Sequence, residues 1–259
     1  MSSLLRTDHL TKSFGGVSAI FELSFAVEQG GIFSVIGPNG AGKTTLFNLL
    51  SGIYTPSSGQ IFYNDQAVVG AEPHTMAAMG ISRTFQTPQI FFNMSALENV
   101  LVGRHRHGQA GFWAAALRLP SAVKEDRLMQ EQARDALAFC GLSHLEGRDA
   151  DALPYGELKR LEVARALASE PKLLLMDEPA AGLNDTETAV MGALIEKLAQ
   201  SGITVMLVEH NMELVMGISQ QLLVLDFGSK LAEGSPAEIR DNPRVIEAYL
   251  GDGALTDGL

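Results

Sequence analysis

The sequence has one cysteine, Cys140, among 259 residues. A single thiol forms no internal disulfide, which suits a reducing compartment. It ends a helical pattern with Met129, Ala133, Ala136 and Leu137, so a buried structural thiol is expected. Basic residues are also few: 19 Lys and Arg stand against 30 Asp and Glu, for a net charge of −11. That balance argues against a face that grips a nucleic-acid backbone. It still allows a phosphate ligand, which a few local donors can hold against the overall charge. No apolar run approaches the ~20 residues that span a bilayer, so work at a membrane would go through other subunits. Met1–Leu10 has no basic stretch leading into an apolar one, and no signal peptide is expected. Internal repeats, heptad arrays and low-complexity tracts are lacking as well.

What is present is a hydrophobic fraction of 46%, enough for one substantial core with a smaller attached subdomain. Short apolar runs at Ile32–Ile36, Leu173–Met176, Ile203–Val208 and Leu222–Leu225 read as strands. Continuous apolar strands suit a sheet covered on both faces. Interspersed with helical patterns, they indicate an α/β fold with a mainly parallel central sheet. Leu4–Leu10, Ala19–Val27 and Gln60–Tyr63 look like antiparallel strands beside it. From Ser95 to Ala168 strand signals nearly vanish. Ser95-Ala96-Leu97-Glu98 fits a capped helix start, and Lys124–Cys140 is amphipathic. The chain is therefore expected as one domain over 1–259. Residues 1–86 and 166–259 form its α/β core and antiparallel β subdomain, and 87–165 an inserted helical subdomain. Residues 104–123 carry His105, Arg106, His107, Trp113 and Pro120. Two histidines at i and i+2 do not share a helix face, so a solvated loop or subunit contact is expected there rather than a metal site.

Gly37-Pro38-Asn39-Gly40-Ala41-Gly42-Lys43-Thr44 follows the run Ile32–Ile36 and precedes a plausible helix, Thr45–Leu50. That strand–loop–helix context is what a phosphate loop requires. Its glycines let backbone N–H groups turn inward around phosphate oxygens, and the helix N-terminus adds partial positive charge. Lys43 is expected to reach the β- and γ-phosphates, and Thr44 to place its hydroxyl on Mg²⁺. Alone, the loop says only that a nucleotide is bound. Leu173–Met176 then ends in Asp177-Glu178. Asp177 suits the organisation of Mg²⁺, and Glu178 a base for an attacking water.

Other segments fall in a fixed order around these. Gln86 follows Arg83-Thr84-Phe85, then come Leu153-Pro154-Tyr155-Gly156-Glu157, Asp177-Glu178, Ala181-Gly182-Leu183-Asn184, and His210 after Val208-Glu209. Over essentially its whole length the chain resembles the nucleotide-binding subunit of ATP-binding-cassette transporters. The resemblance implies a P-loop NTPase core and ATP hydrolysis with Mg²⁺. It implies that Lys43, Gln86, Glu178 and His210 are catalytic, with Thr44, Gln86 and Asp177 around the metal. ATP would lie on Phe14, on Gly37 to Thr44 and on Thr45. Tyr155, Gly156 and Glu157 would face the γ-phosphate held by a second subunit, and Asn184 lies in the loop that communicates between the two sites.

The signature segment departs from the family's commonest form, Leu-Ser-Gly-Gly-Gln. Pro154 replaces the serine, Tyr155 the next glycine and Glu157 the glutamine. Proline has neither hydroxyl nor N–H, so a serine-type contact is impossible at that position. Gly156 and the helix start at 156–158 can still supply donors.

Finer resemblance is to the LivG-type ATPase of branched-chain amino-acid importers. It is carried by Arg83–Gln86, Gly111-Phe112-Trp113, Leu153–Glu157, Asp177–Asn184, Glu209-His210-Asn211-Met212 and Val245–Gly251. It implies a second, homologous or identical nucleotide-binding subunit, two transmembrane permeases, an extracytoplasmic solute-binding protein, no nucleic acid, and a peripheral place on the cytoplasmic face of the inner membrane. Relatives also serve urea, amides and aromatic acids. A cassette ATPase of translation or DNA maintenance is the rival class; the first usually has two cassettes in one chain and the second a long coiled coil, and neither is present. A P-loop kinase or GTPase is disfavoured too, because no Asn-Lys-x-Asp segment is visible.

Overall fold

The computed structural model describes residues 3–108 and 119–251. Gly111, Phe112 and Trp113 lie outside the described residues. Two compact units divide the chain, residues 1–83 with 172–259, and residues 84–171. The second is wider than the 87–165 expected as a subdomain, since its last helix runs on to Ala168.

The first unit holds two sheets. β1 (Ser3–Phe14), β2 (Val17–Glu28), β4 (Ser58–Tyr63) and the short β5 (Gln66–Ala67) form an antiparallel sheet in the order β2-β1-β4-β5. The second sheet runs β10-β9-β3-β8-β7-β6. Its strands are β3 (Ile32–Ile36), β6 (Ile81–Thr84), β7 (Leu173–Asp177), β8 (Thr204–Val208), β9 (Gln221–Asp226) and β10 (Ser229–Gly234). Neighbours among β7, β8, β3 and β9 pair in parallel, and β10 closes one edge antiparallel. The expected α/β class and mainly parallel sheet are borne out. β5, β6 and β10 are additions, too short or too polar to stand out in the sequence.

β3, β7 and β8 are buried along their whole length, and alternation assigns their side chains to two faces. Phe33, Val35, Leu173, Leu175, Met206, Val208, Leu223 and Leu225 share one core with Leu46, Phe47, Leu49 and Leu50 of α1 (Lys43–Leu50). Leu5, Leu10, Ile20, Leu23, Ile61 and Tyr63 of the antiparallel sheet complete that core. The helix that follows the phosphate loop is thus held on its apolar side, about 1.5–3 kcal/mol of stabilisation per fully buried large side chain. Tyr63 is fully buried, its hydroxyl has no hydrogen-bond partner among the described residues, and burial pushes that hydroxyl up to about 12. The remaining helices of this unit are α2 (Pro73–Ala78), α6 (Asp185–Gln200), α7 (Met212–Ile218), α8 (Pro236–Arg240) and α9 (Pro243–Gly251). The N-cap of α6 is Asn184, whose side chain accepts from the Glu187 N–H at 3.0 Å while Glu187 accepts from the Asn184 N–H at 3.1 Å.

The second unit is helical: α3 (Ala96–Arg104), α4 (Pro120–Phe139) and α5 (Tyr155–Ala168). Ser95 caps α3 in the expected capping box with Glu98. α4 begins at Pro120, earlier than Lys124, because proline suits a first helical position. Cys140 follows it and is buried. α3 and α5 meet backbone to backbone: a Cβ on Gly103 would lie 2.1 Å from the Arg165 carbonyl oxygen, so only glycine fits. Arg104, expected in a solvated stretch, is instead buried. It donates to the Ala168 carbonyl at 3.0 Å and to the side chains of Glu170 at 2.6 Å and Gln132 at 2.6 Å, so it satisfies one of the orphan carbonyls of a helix end.

Candidate functional site

The loop from Gly37 to Gly42 leaves β3 and enters α1 at Lys43. Gly42 is the N-cap at φ 100°, and a Cβ there would lie 2.5 Å from the Ala19 carbonyl oxygen. Both conformation and space demand glycine. The Ala41 amide donates back to Pro38 O at 3.2 Å, and Ala41 O receives the Gly228 amide at 3.0 Å, tying the loop to the β9–β10 turn. Lys43 is buried and its ammonium donates to Gly37 O at 2.7 Å and Pro38 O at 2.9 Å. Burial pushes this lysine below its ordinary range, and the Glu178 and Asp177 carboxylates pull it back up. Asn39 in the loop and Thr44 in α1 are exposed, and Thr45 is half-buried.

Asp177 is the last residue of β7, and Glu178 follows in the left-handed region at φ 48°. A non-glycine residue held there is under roughly 1–3 kcal/mol of strain. The Glu178 amide still donates to Val208 O at 2.8 Å, so the sheet fixes this backbone. Glu178 Oε1 lies 3.1 Å from His210 Nε2. Glu209, buried beside it, accepts from the Ala180 amide at 2.7 Å and the His210 amide at 2.9 Å. One carboxylate thereby fixes the loop after Glu178 and the backbone that aims His210.

Asp177 is held differently. Arg83 of β6 donates from Nη2 to its Oδ2 at 2.8 Å, with both side chains almost fully buried. Nη1 reaches Asn48 Oδ1 at 2.6 Å and Ser51 Oγ at 3.1 Å, behind α1. In the sequence Arg83 is legible only as part of a family motif, and Glu209 as a neighbour of the histidine. Each acts on a partner far along the chain that no local pattern reveals. Tyr249 of α9 is a third such residue: burial raises its hydroxyl pKa, and a hydrogen bond with the Gly37 backbone pulls the other way.

Phe14 is half exposed at the end of β1, edge-on to Tyr54 with ring centroids 5.3 Å apart and Lys12 Nζ 5.0 Å from its centroid. It is a half-exposed aromatic and not a core residue. The first unit therefore carries Phe14, the phosphate loop, Asp177, Glu178 and His210. Gln86, Tyr155, Gly156 and Glu157 belong to the second. There Pro154 is the N-cap of α5, and its carbonyl accepts from both the Glu157 and Leu158 amides at 3.0 Å. The donors expected at 156–158 are thus partly committed, and Tyr155 and Gly156 carry the first-turn amides a helix start leaves without an intrahelical acceptor.

A family model described as ABC transporter matches residues 20–181, and one described as branched-chain amino acid ATP-binding cassette transporter matches residues 229–254. The high-affinity branched-chain amino acid transport ATP-binding protein BraF of Pseudomonas aeruginosa is 44% identical over 96% of this chain and 98% of its own. LivG of Escherichia coli, of the same description, is 42% identical over 96% of this chain and 98% of its own. A crystal structure of an ATP-binding cassette of an ABC transporter in its ADP conformation matches with a TM-score of 0.85 at 34% identity, covering 97% of this chain and all of that one.

The chain belongs to the ABC transporter family as an ATP-hydrolysing cassette. Within that family it falls with the branched-chain amino acid cassettes.

Proposed function

We propose that this protein is the ATP-binding and hydrolysing subunit of an importer for branched-chain amino acids. The observation that carries the chemistry is the convergence, at the ends of two buried parallel strands, of Glu178 and His210 at 3.1 Å, with Glu178 and Asp177 acting on Lys43. The loop amides from Asn39 to Thr45 cradle the phosphates, Lys43 balances the γ-phosphate charge, and Phe14 stacks on the adenine. Glu178 orients and takes the proton of the attacking water, and His210 holds that water and the γ-phosphate. By the family resemblance, Gln86 would be a further polar group for the metal and water.

The donor set suits Mg²⁺. Thr44 and Asp177 offer hard oxygen ligands, and no group of three His, Cys, Asp or Glu that could cage a metal occurs among the described residues. Mg²⁺ is commonly held by one carboxylate, a hydroxyl and substrate phosphates. When bound it would neutralise charge on the β- and γ-phosphates. Arg83, 2.8 Å from Asp177 Oδ2, holds that carboxylate in place for the role.

Two such subunits sandwich two ATP molecules between phosphate loops and the facing Tyr155–Glu157 segments, and two permeases complete the complex on the cytoplasmic face of the membrane. No described helix is long and apolar enough to cross a membrane. An open groove of about 500 Å³ in the second unit, lined by Met94, Glu98, Leu101, Val102 and His105, supports docking of a permease there. A solute-binding protein chooses the cargo. ATP drives the change only through its higher affinity for the closed pair.

The test is ATP hydrolysis by the complex with its permeases in vesicles. Stimulation by binding protein loaded with leucine, isoleucine or valine is expected. Stimulation only by urea, an amide or an aromatic acid would reassign the cargo, and retention of nucleic acid in a gel shift without any permease would reassign the class.

A further inference from the structure

Phe85–Gln89 has no regular secondary structure and contains Pro88. Its backbone groups need partners from elsewhere, and α5 supplies them from side chains spaced three apart. Lys159 Nζ donates to the Gln86 carbonyl at 2.6 Å. Glu162 Oε1 accepts from the Gln89 amide at 3.1 Å and the Phe85 amide at 3.4 Å. An Arg165 guanidinium N–H donates to the Gln89 carbonyl, and Arg165 Nη2 lies 3.7 Å from Glu162 Oε1. Lys159 and Glu162 are each only 2% exposed. Burial alone raises the Glu162 pKa; the Gln89 amide, Arg165, the Phe85 amide and Lys159 act against it. Burying these charges is costly, and what they hold is a loop backbone, not one another alone.

We propose that Lys159, Glu162 and Arg165 are positioning residues that lock the 85–89 segment onto α5, so that Gln86 and the helix start at Tyr155 move as one body. The lock lies wholly within the second unit. Resting on the nucleotide-sandwich reading above, it gives a direct mechanical consequence. A displacement of Gln86 is carried by one rigid helix to the Tyr155–Glu157 segment.

The test is hydrogen–deuterium exchange on the full-length subunit, following residues 84–91 and, separately, 155–168. In Glu162→Ala the 84–91 amides are expected to exchange about tenfold faster or more, since two of them lose a buried acceptor. Residues 155–168 should stay as protected as in the wild type. Glu162→Gln keeps the accepting Oε1 and should restore protection to within about threefold. Should Glu162→Ala fail to fold, Glu162→Asp retracts the acceptor by one methylene and is expected to show the same selective loss. In the assembled transporter the loss should appear as a lower kcat with the ATP KM little changed. Unaltered exchange over 84–91 in Glu162→Ala would overturn the proposal, as would equal acceleration over 155–168, which would mean a loosened helix. Exchange is read on the subunit alone, so the result stands whichever solute the transporter carries.

Discussion

The two units of this protein bury charge to different ends. In the first, buried charges gather at the strand ends beside Glu178 and His210: Arg83 pairs with Asp177, Lys43 holds the Gly37 and Pro38 carbonyls, and Glu209 holds the Ala180 amide. In the second they meet backbone: Lys159, Glu162 and Arg165 hold the 85–89 loop, and Arg104 holds the end of α5. Side chains spent on main-chain groups make a rigid body. Glu178 and His210, proposed for hydrolysis, lie in the first unit, and the proposed lock on residues 85–89 lies in the second.

The contrast can be broken most sharply at Glu178. Glu178→Gln should lower ATP turnover by about 10²–10⁴-fold, the usual worth of a general base. Nucleotide should still bind, and the ATP-bound dimer should accumulate on size exclusion. Near wild-type hydrolysis by an assembled Glu178→Gln complex would remove the base assignment. Arg83→Met should destabilise the subunit by about 3–5 kcal/mol, because it strands a buried carboxylate; chemical denaturation reads this. A change below about 1 kcal/mol would mean that Asp177 is satisfied without it. Lys43→Ala should weaken ATP binding by about tenfold or more through loss of charge-assisted bonds, and unchanged affinity in a titration would contradict its role.

Two smaller effects sharpen the comparison. Pro154→Ser should leave ATPase activity present, equal or raised, because the Tyr155 and Gly156 amides do not depend on the proline ring. Complete loss would show that the proline geometry is required. Tyr63→Phe should be neutral or stabilising by about 1 kcal/mol, since it removes a buried hydroxyl without a partner. Thermal unfolding that fell instead would reveal a partner for that hydroxyl.

Much of the first unit was legible in the sequence because its signals are local. The strand before the phosphate loop, the glycines within it and the lysine after it are contiguous, and the apolar runs of β3, β7, β8 and β9 announce a sheet covered on two faces. The capping box at Ser95 was legible for the same reason. The structural roles of Arg83, Glu209 and Glu162 are not legible locally because their partners are remote: Arg83 meets Asp177 across 94 positions, and Glu162 meets Gln89 across 73. A charged residue in a helical pattern reads as a solvated face until its burial is known. Glu162 and Lys159 interrupt the apolar periodicity of α5 for this reason. The capping role of Asn184 was open to a local reading, since Glu187 stands three residues later, but a family loop occupied the same position. β10 is not legible in the sequence because an edge strand need not be apolar.

The division of labour is tested most directly by hydrogen–deuterium exchange of residues 84–91 in the nucleotide-free wild type and in nucleotide-free Glu178→Gln, with ATP turnover assayed separately. The account predicts the same protection in both, with turnover collapsing only in the variant, because the loop is held by α5 and not by the hydrolytic carboxylate. Faster exchange over 84–91 in Glu178→Gln would contradict it.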